Sequence, residues 1–164
     1  NKGFFYTPHI LKKVAGKAIE NKKYTIPKKT TIDAKHFEPI IEAMHEVFKT
    51  GTGKLSQIKG IEICGKTGTV ENSIKIIDGV KTQAPDHSIL VAFAPKENPK
   101  IAIAVFVENG GYGSTIAAPI SSLIIEKYLR EKISKPWVEK RMLALSLQEV
   151  YDKQKSKEIA PGKK

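Results

Sequence analysis

The chain has 164 residues, 40% hydrophobic and 27% charged, with a formal charge of +11, enough for one domain with a sizeable core but not for two. Residues 1–29 carry eight lysines against the single acid Glu20, and residues 130–164 carry ten Lys/Arg against five acids. The runs Ile89–Ala94 and Ile101–Val107 are too short to span a bilayer, and no basic–aromatic interleaving of the kind that stacks bases occurs. Nucleic acid is therefore not an expected partner, and the lysines read as solvated surface. Cys64 is the single cysteine, which excludes an internal disulfide and leaves the redox compartment open.

In chain order, residues 1–32 alternate short apolar stretches with Gly, Pro and Lys, the pattern of edge hairpins. Phe37, Ile40, Ile41, Met44 and Phe48 recur at helical spacing. Asp33 and Pro39 offer competing starts for that helix, and Gly51-Thr52-Gly53 ends it. Three strands are expected next: Gly60–Val70, His87–Ala94 and Ile101–Val107. Ser73–Pro85 is a polar excursion between the first two, and Pro95–Pro99 is short enough to join the last two as an antiparallel hairpin. Residues 114–131 read as a buried helix with Ile116, Ile120, Leu123, Ile124 and Tyr128 on one side. Residues 137–153 read as a second amphipathic helix with Leu143, Leu147, Val150 and Tyr151 in register. The polar tail from Lys153 is expected to be disordered. Strands flanked by helices before and after indicate an α+β fold.

The chemistry centres on Gly65-Lys66-Thr67-Gly68-Thr69. With Gly60 this stretch satisfies Gly-x4-Gly-Lys-Thr, the phosphate-cradling P-loop pattern. A P-loop needs a buried strand before it and a helix directly after it. Here Ile61, Glu62, Ile63 and Cys64 prefer an extended chain, Lys54–Lys59 is not a buried strand, and no helical period follows Thr67. The competing reading is an extended strand offering backbone and hydroxyls to a ligand. Thr67 and Thr69, two apart, leave the same face and can hold a carboxylate, Gly68 admits a close backbone approach, and Lys66 adds a positive charge. Strict alternation puts Lys66 on the opposite face from the two threonines.

Lys-Thr-Gly is also one signature of penicillin-binding proteins and related β-lactamases. Asn1-Lys2-Gly3 with Thr7–Ile10, Gly65–Thr69, Asp86–Pro95, Pro99–Val105, and Val107–Gly111 leading to Ala117-Ala118-Pro119 resemble that family in order and spacing. The later segments look most like the elongation-type class B enzymes, monofunctional peptidoglycan D,D-transpeptidases. The resemblance covers roughly residues 1–130 and implies a partial transpeptidase, serine β-lactamase-like fold, with residues 1–131 the C-terminal part of that domain and 132–164 a helix and tail. It implies that Lys66 supports the proton network of a nucleophile, and that Thr67, Gly68 and Thr69 bind substrate. The backbone N–H of Thr69 would be one oxyanion-hole donor. Glu71, Asn72, Asp86 and His87 are expected at the cleft rim, where capping or turn roles compete. The implied ligands are a D-Ala-D-Ala stem peptide, laid down as an added strand, and β-lactams. Implied partners are the remainder of the same domain and cell-wall elongation proteins, in a membrane-anchored parent facing the periplasm.

The departures from the family pattern matter as much. The one Ser-x-x-Lys, Ser56-Gln57-Ile58-Lys59, is expected by chance roughly 1.4 times in such a composition, and it lies outside the helix the family uses. No Ser-x-Asn occurs. The nucleophile and second motif are expected upstream of Asn1, which makes this chain inactive alone. The four histidines (9, 36, 45, 87) lack metal-ligand spacing, and neither metal nor cofactor is expected. Three readings stay open: a transpeptidase segment, a P-loop nucleotide-binding protein using Gly60–Thr67, and a non-catalytic β-lactam sensor domain.

Overall fold

A computed structural model describes residues 2–11, 13–77, 80–149 and 151–152. It divides into two compact units, Asn1–Glu42 and Ala43–Lys164.

In the first unit, β1 (Phe4–Phe5) pairs antiparallel with β4 (Lys28–Lys29), and β2 (Lys13–Val14) forms a hairpin with β3 (Lys17–Ala18). Ala15 and Gly16, both at positive φ, make the tight turn between β2 and β3. A short helix, α1 (Lys22–Thr25), interrupts the expected run of hairpins; the Asn21 side chain accepts from the Lys23 N–H and caps it. A 3-10 turn at Ala34–His36 leads into α2 (Phe37–Lys49), whose residues from Ala43 onward belong to the second unit. The competing helix starts resolve in favour of Pro39, which sits in the first turn, while Asp33 makes no capping bond.

The second unit is built on a three-stranded antiparallel sheet ordered β5 (Cys64–Val70), β8 (His87–Ala94), β9 (Ile101–Val107). The first strand is shorter than expected. Gly60 takes a left-handed φ of 74° and closes a turn in which Ile58 bridges Ile61, so regular pairing begins only at Cys64. The polar excursion holds a hairpin of its own, β6 (Ile74–Ile77) with β7 (Val80–Gln83). The hairpin expected across Pro95–Pro99 forms, in register from Ser88↔Val107 to Ala94↔Ile101.

The pleat gives the sheet two unlike faces. Gly65, Thr67 and Thr69 share a face with Ser88, Leu90, Ala92 and Ala94, and those four β8 residues are all buried. Against this face packs α3 (Ala117–Arg130), and the core joins Leu90, Ala92 and Ala94 to Phe48, Ile58, Ile63, Ala117, Ala118 and Ile125. The other face carries Val91 and Phe106, which are exposed.

Helix α3 begins at Ala117, not at residue 114, and only part of the expected stripe faces inward: Ile116 is buried and Ile120 and Leu123 are half-buried, but the inward side is turned toward smaller residues. Ala117, Ala118, Ser121, Ser122, Ile125 and Glu126 are buried, whereas Ile124 and Tyr128 are exposed. Small residues let the helix axis come close to the sheet, and the bulkier side chains are displaced to its flanks. The second amphipathic helix is borne out at both ends and broken in the middle, with helical backbone at Pro136–Leu143 and again at residues 148–149 and 151–152. Helix α4 (Pro136–Leu143) stops at Ala144, Leu145–Leu147 are not helical, and Leu143 is exposed. Val150 and the tail from Lys153 lie outside the described residues. Buried Glu126 ties α3 to the connection that leads into α4: one carboxylate oxygen accepts from the Ser134 N–H at 2.9 Å, and the other lies 3.6 Å from Arg130. No helix among the described residues is long and apolar enough to cross a membrane.

Candidate active-site strand

Among the described residues, strand β5 lies at the edge of its sheet, bonded to β8 on one side only, so half of its backbone N–H and C=O groups are directed away from the sheet. The register places Lys66 opposite Val91, Thr67 opposite Leu90, Gly68 opposite Ile89 and Thr69 opposite Ser88. Lys66 and Thr69 are exposed, and Thr67 is half-buried. After Thr67 the chain stays extended to Val70. The P-loop reading of Gly60–Thr67 is thereby overturned: Cys64–Thr67 is laddered strand, and no helix N-terminus follows it to face a phosphate.

The alternation problem at Lys66 has a simple resolution. Its stem leaves the opposite face from Thr67, but the ammonium turns back and donates to the Thr67 carbonyl oxygen at 2.7 Å. A four-carbon side chain is long enough to carry its charge around the strand. Charge and hydroxyl thus lie beside the same stretch of backbone.

Thr67 is also held by a residue that sequence reasoning used only as a helix stop. The Thr52 hydroxyl lies 2.8 Å from the Thr67 hydroxyl. The Gly51-Thr52-Gly53 turn brings it there, with Gly53 packed under the Phe48 ring. Gln57 fastens the same turn by donating to the Phe48 and Lys49 carbonyls. Lys135 donates to the Leu55 and Gln57 carbonyls and Arg130 to that of Lys59, so the segment before β5 is tied to the C-terminal helices.

A second glycine permits a close approach within the chain itself. A Cβ on Gly68 would meet nothing nearer than 3.5 Å. A Cβ on Gly113 would collide with the Ile89 carbonyl and lie 2.6 Å from the Gly68 carbonyl oxygen. The backbone that crowds Gly68 is therefore that of the loop after β9. Ser88 pins this loop, donating to the Tyr112 carbonyl and accepting from the Ala117 N–H.

Of the expected rim residues, the structure brings three together and leaves the fourth apart. The Asn72 N–H donates to the Asp86 carboxylate, its side-chain amide donates to the Pro85 carbonyl and to Asn109 Oδ1, and His87 Nδ1 accepts from the Asn109 N–H. Glu71 is exposed at the end of β5. Buried Asn109, with φ 55°, was missed as a site residue; the following Gly-Gly, which marks a turn, was the available signal. Ser56, the serine of the chance Ser-x-x-Lys, is buried in a 3-10 turn, which is no place for a nucleophile.

The model of the penicillin-binding protein transpeptidase domain matches residues 1–126. The chain belongs to that family. Its relatives place this transpeptidase segment in the class B branch. It is 32% identical over 151 residues to the peptidoglycan D,D-transpeptidase MrdA of Haemophilus influenzae, covering 85% of this chain and 23% of that protein. It is 33% identical over 144 residues to stage V sporulation protein D of Bacillus subtilis, covering 83% of this chain and 22% of that one. Among solved structures, Pseudomonas aeruginosa PBP2 in complex with WCK 5153 superposes with a TM-score of 0.60 at 29% identity, over 79% of this chain and 27% of that one. The penicillin G acyl-enzyme of Mycobacterium tuberculosis penicillin-binding protein A gives 0.57 at 28% identity, over 79% and 29%. The transpeptidase segment thus spans about a quarter of the length of the proteins it resembles.

Proposed function

We propose that this chain supplies the substrate-gripping strand of a peptidoglycan D,D-transpeptidase, residues 1–131 being the C-terminal part of the catalytic domain. The observation that carries the proposal is β5 itself: an edge strand with one free side, Lys66 and Thr69 exposed, and the Lys66 ammonium beside the Thr67 backbone. The terminal D-Ala-D-Ala of a stem peptide, or a β-lactam in its place, adds to that edge as a further strand. Thr67 and Thr69 hold its carboxylate. The Thr69 N–H donates to the oxyanion as the carbonyl becomes tetrahedral, and Lys66 supports proton transfer around the nucleophile. A serine from elsewhere in the protein forms the acyl ester and expels the terminal D-Ala; an amine of a second stem peptide then takes the acyl group and restores the serine hydroxyl.

That serine and its Lys partner lie in the remainder of the domain, whose docking would cover the exposed Val91 and Phe106 face of the sheet. The parent is a membrane-anchored protein whose catalytic domain faces the periplasm, where cell-wall elongation proteins are its partners. The chain alone is inactive. A fluorescent penicillin followed by denaturing electrophoresis tests both statements: the full-length protein should carry a covalent band and residues 1–164 none. A band on the isolated chain overturns the assignment of the nucleophile, and no band on the full-length protein overturns the function. A full-length protein that is acylated yet cross-links no stem peptide would be a sensor instead.

A further inference from the structure

Strand β5 has a ladder on one side only, and that ladder ends at Val70↔His87, one residue beyond Thr69. The last residues of a singly paired edge strand fray at little cost, yet Thr69 has to hold its N–H still. The structure meets this requirement two residues past the strand. The Asn72 N–H donates to Asp86 Oδ1 at 3.1 Å. Its carboxamide nitrogen donates to the Pro85 carbonyl at 3.0 Å and to Asn109 Oδ1 at 2.6 Å. Its own carbonyl accepts from the Gln83 amide at 2.9 Å. The receiving groups are fixed in turn. Asn109 is 7% exposed and donates its N–H to His87 Nδ1, while the Gly111 N–H donates to the Asp86 carbonyl at 2.6 Å. Four chain segments meet at Asn72: the exit of β5, the end of β7, the entry of β8 and the exit of β9.

We propose that Asn72 is a positioning residue for the transpeptidase reaction, a clamp that holds the C-terminal end of the Lys-Thr-Gly strand so that Thr69 presents its backbone to the acyl group. This rests on the proposed reading of β5 as the substrate strand. Asparagine is suited to the place because it brings two side-chain donors to two fixed acceptors. Aspartate has the same shape and no donor, and whichever way the Asn109 amide turns it would set a carboxylate against the Pro85 carbonyl and beside the Asp86 carboxylate. The clamp therefore makes an ordering that space-filling does not: Asn72→Asp is worse than Asn72→Ala, although it is the closer match in volume.

The test uses the full-length protein, stopped-flow acylation by a fluorescent penicillin, and amide hydrogen exchange of the peptide spanning β5. Asn72→Ala should slow the saturating acylation step about 10-fold, as expected for one or two lost hydrogen bonds, with the non-covalent affinity within about twofold. Asn72→Asp should slow it further, and exchange at Val70, the ladder residue after the outward-facing Thr69 N–H, should quicken in both while the β8–β9 ladder is unchanged. Glu126→Gln, remote in α3, serves as a variant of reduced stability and should acylate at the parent rate. Parent-like acylation in Asn72→Ala overturns the proposal. So does a milder Asn72→Asp, or an equal loss in Glu126→Gln. If Asn72→Asp fails to fold, Asn72→Ser, which keeps one donor, should fall between the parent and Asn72→Ala, and a parent-like rate there overturns the clamp. Should the parent itself fail to acylate, the reading of β5 falls, and the exchange data still decide the clamp.

Discussion

Adding one methyl group at Gly65 tests how tightly the edge strand is seated. A Cβ there would lie 2.8 Å from Phe48 Cε2, 2.8 Å from the Val91 carbonyl oxygen and 2.9 Å from Ala92 Cβ. Non-bonded carbons rest about 3.5–4.0 Å apart, so β5 must move by roughly 0.5–1 Å or the Phe48 ring must leave its place. Neither yields freely: Phe48 is 2% exposed, and the other two atoms belong to the β8 backbone or sit directly on it. Overpacking costs about 1–3 kcal/mol, and two rigid neighbours put Gly65→Ala in the upper half, roughly 2–3 kcal/mol or about 30- to 150-fold in the folded-to-unfolded ratio. At a urea dependence of about 2 kcal/mol per molar, the midpoint should fall by roughly 1–1.5 M. Gly68→Ala is the counterpart. Its Cβ would rest 3.5 Å from Ile89 Cβ and 3.8 Å from Ile89 Cγ2, ordinary contact, and alanine trims the freedom of the unfolded chain by about 0.4–1 kcal/mol. Its midpoint should be unchanged or slightly higher. Urea unfolding of the full-length protein, followed by far-UV circular dichroism, compares the two. A Gly65→Ala midpoint within about 0.2 M of the parent, or a Gly68→Ala midpoint that falls as far as Gly65→Ala, would refute the packing argument.

Thr67→Val keeps the shape of Thr67 and removes the hydroxyl that meets Thr52. On the proposed function it should lower penicillin acylation efficiency roughly 10- to 150-fold, the value of one hydrogen bond to a charged group, and Thr67→Ser should restore most of it. Glu126→Ala strips the Ser134 N–H of its acceptor and Arg130 of its carboxylate. It should cost about 2–3 kcal/mol in urea unfolding, most of it from the polar groups left behind. The Lys49 hydrogen bond, and then that of Thr50, hold the Glu46 carboxyl below its ordinary value. A lowered folded-state pKa contributes stability that is present above the unfolded value and lost as pH falls through the folded one. The melting-point gap between Glu46→Gln and the parent should accordingly be open near neutral pH and close in acid; a gap independent of pH would remove the role of the ion.

What could be read from the residues alone was what repeats locally. The two β-branched runs and the short Pro95–Pro99 link determined a hairpin, because strand pairing across a short connection has one geometry. The Lys-Thr-Gly-Thr stretch determined a strand with two hydroxyls on one face, because the pleat has period two. The relative order of five short segments was enough to name the family. Only the tertiary structure decided which glycine is crowded, since that depends on the loop after β9 arriving over Gly68. It alone decided which side of α3 faces inward: close approach to the sheet selects Ala118, Ser121 and Ser122 over the larger Ile124 and Tyr128 that a hydropathy pattern ranks first. Thr52, Asn72 and Asn109 acquire their partners across 15 and 37 residues of sequence. A polar side chain shows its type in the sequence, but its acceptor is chosen by where the backbone brings the other end of the bond.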